Sequence, residues 1–281
     1  MTYGTQKKRD PRDSASFARL KTPYDVGRIP HREHPHPQRM RKDWLCLNGE
    51  WELTKQSPEG KALFSGKILV PFSPETVNGG LEAGFRLEAG ERLLYRRSFT
   101  VDKRLLRGVT HLHFGAVDQV ARVSLNGIFL GEHQGGYTPF SFDITPYLAP
   151  ENLLTVEVTD TTVDFTLPYG KQSNKRGGMW YTPVSGIWQT VWIESVPESY
   201  ISRIDIETGA DFVEISASVA DGTVTIGDIS APLVDGKARI TIPEPHLWSP
   251  EDPYLYDFTL TSGKDKVHSY FALRTLEIKD V

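Results

Sequence analysis

From Trp44 onward, turn-forming residues cut the chain into short runs of alternating apolar and polar residues, and no segment sustains the period of an ordinary amphipathic helix. Strands this short must pair across tight turns, so the chain is confined to an antiparallel, all-β fold. The runs lie at 45–47, 51–53, 67–70, 93–101, 111–114, 121–125, 128–130, 140–144 and 153–158. Asn48-Gly49 and Asn126-Gly127 each stand between two of them. Both pairs are expected to form type I′ hairpin turns, because Asn and Gly tolerate the positive φ that this turn demands. The pattern predicts a jelly-roll β-sandwich over 44–197. After Val196-Pro197 it restarts with shorter strands at 199–206, 212–220, 222–226, 237–242, 254–261 and 266–274, which suits a smaller immunoglobulin-like β-sandwich over 198–281.

Residues 1–43 differ in texture, being polar and rich in Lys, Arg and Pro, and are expected to be an extended or partly disordered leader. Within it His31, His34 and His36 are close in sequence, but the intervening prolines prevent a helix that would align the imidazoles, and no metal site is assigned. The net charge of −4 gives no electrostatic case for nucleic acid or an anionic membrane. No apolar run approaches the roughly 20 residues of a membrane span. No apolar segment follows the N-terminus, so no secretory signal is read and a cytoplasmic location is expected. Cys46, the single cysteine, excludes an intrachain disulfide and reads as a core filler.

The stretch 176–194 combines a glycine-rich loop, the aromatic pair Trp180-Tyr181, a Pro-Val-Ser-Gly turn and a strand. That strand is expected to carry Ile187, Gln189, Val191 and Ile193 on one face and Trp188, Thr190, Trp192 and Glu194 on the other. The loop over 160–183 is unusually long for a sandwich, and such loops are either functional or flexible connections. Its aromatics favour a packed, functional loop.

Eight pieces of the sequence, in order, resemble the N-terminal half of family-2 glycoside hydrolases, the group of β-galactosidases, β-glucuronidases and β-mannosidases. They are Leu47-Asn48-Gly49-Glu50-Trp51, Val70-Pro71-Phe72-Ser73-Pro74-Glu75, Tyr95-Arg96-Arg97-Ser98-Phe99, Phe114-Gly115-Ala116-Val117-Asp118, Val123-Ser124-Leu125-Asn126-Gly127, Gly135-Gly136-Tyr137-Thr138-Pro139-Phe140, the 176–194 stretch, and the run from Leu247 to Tyr256. The resemblance implies a galactose-binding-like jelly roll, then an immunoglobulin-like domain, both preceding a (β/α)₈ barrel that holds two catalytic glutamates. Residues 270–281 resemble the last sandwich strand and the linker into that barrel, so the barrel is expected to lie outside this sequence. The Asn-Glu pair that marks the family's general acid/base does not occur in it.

Retaining hydrolysis needs two carboxyls about 5–5.5 Å apart around the sugar. None of the 36 acidic residues is nominated for that role, and no catalytic residue or cofactor is assigned. The chain is expected to be inactive alone, with carbohydrate and the catalytic barrel as its partners and a homo-oligomer as a further possibility. In some family members the loop just before Met-Trp supplies an acidic residue to the sugar hydroxyls, whereas here that place holds Gly177-Gly178. Lys171, Gln172 and Asn174 are the alternative hydroxyl contacts, and Trp180 or Tyr181 the stacking face. Trp180 keeps a second reading, as a plug for the sandwich end. Three functions therefore stand: a non-catalytic N-terminal portion of a glycosidase, a free-standing carbohydrate-binding protein, and a module that docks onto a separate barrel.

Overall fold

The structure is a computed structural model that describes residues 29–81, 84–161, 166–173 and 177–275. Its regular structure is all-β, with nineteen strands and only short 3-10 turns among the described residues. The residues divide into two compact units, one within Met1–Glu33, Leu45–Asp102 and His111–Ile193, the other within His34–Trp44, Lys103–Thr110 and Glu194–Val281.

The first twelve strands are β1 (Trp44–Cys46), β2 (Gly49–Gln56), β3 (Ala62–Val70), β4 (Arg92–Thr100), β5 (Val109–Phe114), β6 (Val117–Asp118), β7 (Val120–Leu125), β8 (Ile128–Gln134), β9 (Phe140–Asp143), β10 (Glu151–Thr159), β11 (Gly186–Ile187) and β12 (Val191–Val196). They build a six-stranded sheet, β3-β2-β4-β10-β7-β8, a four-stranded sheet, β1-β12-β5-β9, and a short pair, β11-β6. Alternation decides the buried face. Leu93, Tyr95 and Phe99 of β4, Leu154, Val156 and Val158 of β10, and Ala121, Val123 and Leu125 of β7 are all buried. Val156 lies opposite Tyr95 on one side and Val123 on the other, so apolar side chains stack in layers across the sheet. Each large side chain so buried stabilises the unit by about 1.5–3 kcal/mol relative to leaving it exposed.

The remaining strands are β13 (Ile204–Thr208), β14 (Phe212–Ala217), β15 (Thr223–Ile226), β16 (Ile229–Pro232), β17 (Lys237–Thr241), β18 (Tyr256–Ser262) and β19 (Asp265–Phe271). They form sheets β13-β14-β17 and β16-β15-β18-β19 around Val213, Ile215, Val224, Phe258, Leu260, Val267 and Phe271. Sequence patterning misses β16, a four-residue segment ending in Pro232. Its pairing with β15 from Ile226↔Ile229 onward, rather than its own periodicity, makes it a strand.

The two Asn-Gly pairs behave differently. Asn126 and Gly127 have φ of 53° and 81°, and they close the β7–β8 hairpin with Leu125 opposite Ile128. At Asn48-Gly49 only the glycine has positive φ, and the flanking β1 and β2 belong to different sheets, so no hairpin forms there. Asn48 is instead a buried corner: its amide donates to Pro30 O at 3.0 Å and Thr190 Oγ1 at 3.2 Å, and its Oδ1 accepts from Val191 N at 3.0 Å.

The strand expected over 187–194 also differs. It is broken between Ile187 and Val191, and every residue of β12 is buried, so both faces of this strand are covered. The break falls at Trp188, whose indole N–H donates to Gly136 O at 2.8 Å.

Residues 1–28 of the polar leader lie outside the described residues. Pro37–Arg39 forms a 3-10 turn, and Met40 bridges His268. Arg41 is buried, and His34 packs edge-on against Trp44 with ring centroids 4.8 Å apart. Among the described residues no group of three or more His, Cys, Asp or Glu is arranged to hold a metal ion. None of their helices is long and apolar enough to cross a membrane.

Candidate functional site

In the first unit, three carboxyls far apart in sequence interact electrostatically: Glu75 after β3, Asp118 in β6 and Asp160 after β10. Asp118 is almost fully buried. Gly136 has to be a glycine beside it, since a Cβ there would run into Asp118 Oδ1.

Gln172 ties the long loop to this group. Its Nε2 donates to Asp118 Oδ2 at 3.3 Å and lies 3.3 Å from the Tyr137 hydroxyl, while its Oε1 accepts from Val184 N at 2.6 Å. Glu75 holds the next turn, with Oε1 accepting from the Ser185 hydroxyl at 2.6 Å and Oε2 from the Ser185 amide at 3.0 Å. The loop also folds on itself. Tyr181 N donates to Lys171 O at 2.7 Å, Ser173 N to Tyr181 O at 3.1 Å, and Trp180 N to Gly177 O at 3.2 Å.

Burial sets the protonation of the three acids. It raises Glu75 to about 7 against the pull of the Ser185 hydrogen bonds, with the Asp118 charge adding to the rise. It raises Asp118 to about 6, opposed by the Gln172 hydrogen bond. Asp160 goes to about 7, by burial first and then by the Asp118 and Glu75 charges. The group therefore exchanges protons near neutrality and offers both hydrogen-bond donors and acceptors there. Burial also raises the Cys46 thiol, which keeps it away from the thiolate form a nucleophile needs.

Lys171 is exposed at the rim, and Tyr181 is 69 % exposed. Gln172 is part-buried beneath them, where its amide is spent on the clamp to Asp118, Tyr137 and Val184. Trp180 is part-buried, with its ring parallel to that of Tyr169 at 6.5 Å between centroids. Asn174 lies outside the described residues. Lys171, Gln172, Trp180 and Tyr181 thus belong to one self-bonded loop. Sequence reasoning missed Glu75, Asp118 and Asp160 beneath it. A signal existed for two of them, since each is an acid ending an apolar piece, Val70-Pro71-Phe72-Ser73-Pro74-Glu75 and Phe114-Gly115-Ala116-Val117-Asp118.

Residues 81–197 match the family model described as glycosyl hydrolases family 2, sugar binding domain, and residues 199–274 match the one described as glycosyl hydrolases family 2. A β-galactosidase of Thermoanaerobacter pseudethanolicus is 28 % identical over 66 % of this chain and 28 % of its own length. A β-glucuronidase of Rattus norvegicus is 26 % identical over 61 % of this chain and 31 % of its own. Among solved structures, a Faecalibacterium prausnitzii β-glucuronidase superposes with a TM-score of 0.62 and 25 % identity, covering 85 % of this chain and 48 % of that one. The chain thus spans about a third or less of such curated relatives and about half of such solved chains. With both models matching in order along an all-β chain, the protein belongs to glycosyl hydrolase family 2, carrying that family's sugar-binding domain followed by its immunoglobulin-like domain.

Proposed function

We propose that this chain is the non-catalytic N-terminal portion of a family-2 glycoside hydrolase, and that its loop over 169–181 borders the sugar site of a catalytic barrel. The observation that carries the reading is the clamp of Gln172 on Asp118 and Val184, which pre-organises the loop and leaves Lys171 and Tyr181 facing solvent. Lys171 offers a donor to sugar hydroxyls and Tyr181 an aromatic face, and the Gln172 amide lies just below them. Asn174, on the same loop, is a further hydroxyl contact. Galactosides and glucuronides are the substrate classes named for the relatives, and either fits a rim that combines a cation with hydrogen-bonding groups.

Both oxygens of Glu75 are occupied by Ser185, and Asp118 accepts from Gln172. These acids support the loop instead of forming a nucleophile and acid/base pair. The test is turnover: the isolated chain releases no nitrophenol from aryl β-galactosides or β-glucuronides above a blank.

The exposure of Tyr181 favours one second reading, a free-standing carbohydrate-binding module. Calorimetry separates the two. Saturable binding of galactose or glucuronate by the isolated chain, lost in Tyr181→Ala or Trp180→Ala, supports the module. Absence of saturable heat supports a loop that completes a site only alongside the barrel.

A further inference from the structure

The second unit contains a solvent-open cavity of about 660 Å³, built by four separate pieces of chain. Met40 and His268 exchange backbone hydrogen bonds of 2.9 Å in an antiparallel bridge, a register that brings residue 42 alongside residue 266. Alternation then sorts the charges. Arg41 and Asp265 turn inward, with Nε to Oδ1 at 2.8 Å and Nη2 to Oδ2 at 2.9 Å, while Lys42 and Lys266 turn outward. Lys264 stands exposed on the turn between β18 and β19. On another piece, Gly108 lies so close to the Val196 carbonyl that no Cβ fits, and the neighbouring Arg107 is exposed.

Lys42, Arg107, Lys264 and Lys266 all line the cavity, and none has an ion-pair partner among the described residues. Asp265, one of two acids on the wall, pairs with Arg41, which also pairs with Glu194, and accepts from Ile201 N at 2.8 Å. Asp43 is the other acid, so the wall carries more cations than acids. This local excess occurs in a chain whose net charge is −4, so it is not a by-product of a basic composition.

The cavity's size and lining restrict the ligand class. Its volume is that of a pocket for a ligand of several rings, in the range of about 300–1,000 Å³, and far exceeds what one oxyanion fills. Cations on three chain segments call for several anionic groups. The hydroxyls of Ser195 and Thr261 add neutral hydrogen-bonding partners. The wall has no Phe, Tyr or Trp, so it lacks the stacking platform on which single-stranded nucleic acids bind.

We propose that this cavity binds an anionic oligosaccharide, carboxylated or sulfated, through Lys42, Arg107, Lys264 and Lys266. The site shares no residue with the loop over 169–181, so either assignment can fail without the other.

The test titrates the 281-residue chain by calorimetry at low salt with tetragalacturonate, a heparin-derived tetrasaccharide, neutral cellotetraose and a single-stranded oligothymidylate. Saturable one-to-one binding of an anionic tetrasaccharide is expected, without binding of cellotetraose. Binding of tetragalacturonate alone identifies carboxylates as the groups read, binding of the heparin fragment alone identifies sulfates, and binding of both identifies charge. Lys264→Glu/Lys266→Glu and, separately, Arg107→Ala are expected to weaken binding by about tenfold or more, as is salt of about 0.5 M. Lys237→Glu, an exposed reversal elsewhere in the unit, is expected to stay within about twofold. The proposal is overturned if neither anionic tetrasaccharide saturates, if cellotetraose binds equally well, if the oligothymidylate binds more tightly, or if the folded cavity variants bind like the parent chain.

Discussion

Glu75 and Ser185, 110 residues apart, make two hydrogen bonds to each other, hydroxyl to Oε1 at 2.6 Å and amide to Oε2 at 3.0 Å. One carboxylate thereby fixes the turn at which the long loop rejoins the first unit. Glu75→Ala removes both acceptors and leaves the Ser185 amide and hydroxyl without their partner. The expected loss is about 1–3 kcal/mol, read as a lower Tm of the first unit, with Ser185→Ala at the smaller end. A Tm unchanged in Glu75→Ala would show that the turn is held by other means.

Stability should depend on pH in a direction opposite to ordinary acid denaturation. Glu75, Asp118 and Asp160 have pKa values raised to about 7, 6 and 7 in the folded state. Between their ordinary carboxylate range and these values the folded chain binds more protons than the unfolded chain, so unfolding free energy falls as pH rises. Tm of the first unit is expected to increase as pH is lowered from about 8 to about 5, and the slope to flatten in Asp160→Asn. A Tm that drops steadily over that interval would contradict the assignment.

Gln172 acts on the loop more than on the unit as a whole. Gln172→Ala removes its bonds to Asp118 and Val184 and its approach to the Tyr137 hydroxyl, and is expected to speed amide exchange at Val184 and Tyr181 while Tm shifts little. Unchanged exchange at both amides would remove Gln172 from its role as the clamp.

Gly136→Ala places a methyl group against the buried Asp118 carboxyl. A destabilisation of about 1–3 kcal/mol is expected from the overpacking. Adding Asp118→Ala should recover part of it, and a double-mutant cycle with no coupling would refute the contact.

Arg41→Met leaves Asp265 and Glu194 buried without their guanidinium, and the second unit should lose about 3–5 kcal/mol. Melting followed at Trp248, the tryptophan of 198–281, reports this loss.

What the sequence conveyed depended on how local the cause was. Asn126-Gly127 was legible as a hairpin because the turn chemistry and the flanking alternation lie within a few residues. Asn48-Gly49 carried the same local signal, but its amide is claimed by Pro30, Thr190 and Val191, and those long-range bonds override the turn. Alternation over 187–194 separates two faces, but it shows neither the break after Ile187 nor that both faces of β12 are covered. The long loop stood out by length and aromatics. The acids beneath it did not, since Glu75, Asp118 and Asp160 meet only through the sheet topology, and their raised pKa values come from burial that composition does not show.

Release of nitrophenol from 4-nitrophenyl β-D-galactoside and β-D-glucuronide, at high concentration of the 281-residue chain, tests the assignment of a non-catalytic portion most directly. The expected rate equals the blank from acid to neutral pH. Turnover above the blank that is abolished by Glu75→Gln or Asp118→Asn would make those carboxyls catalytic and contradict the account.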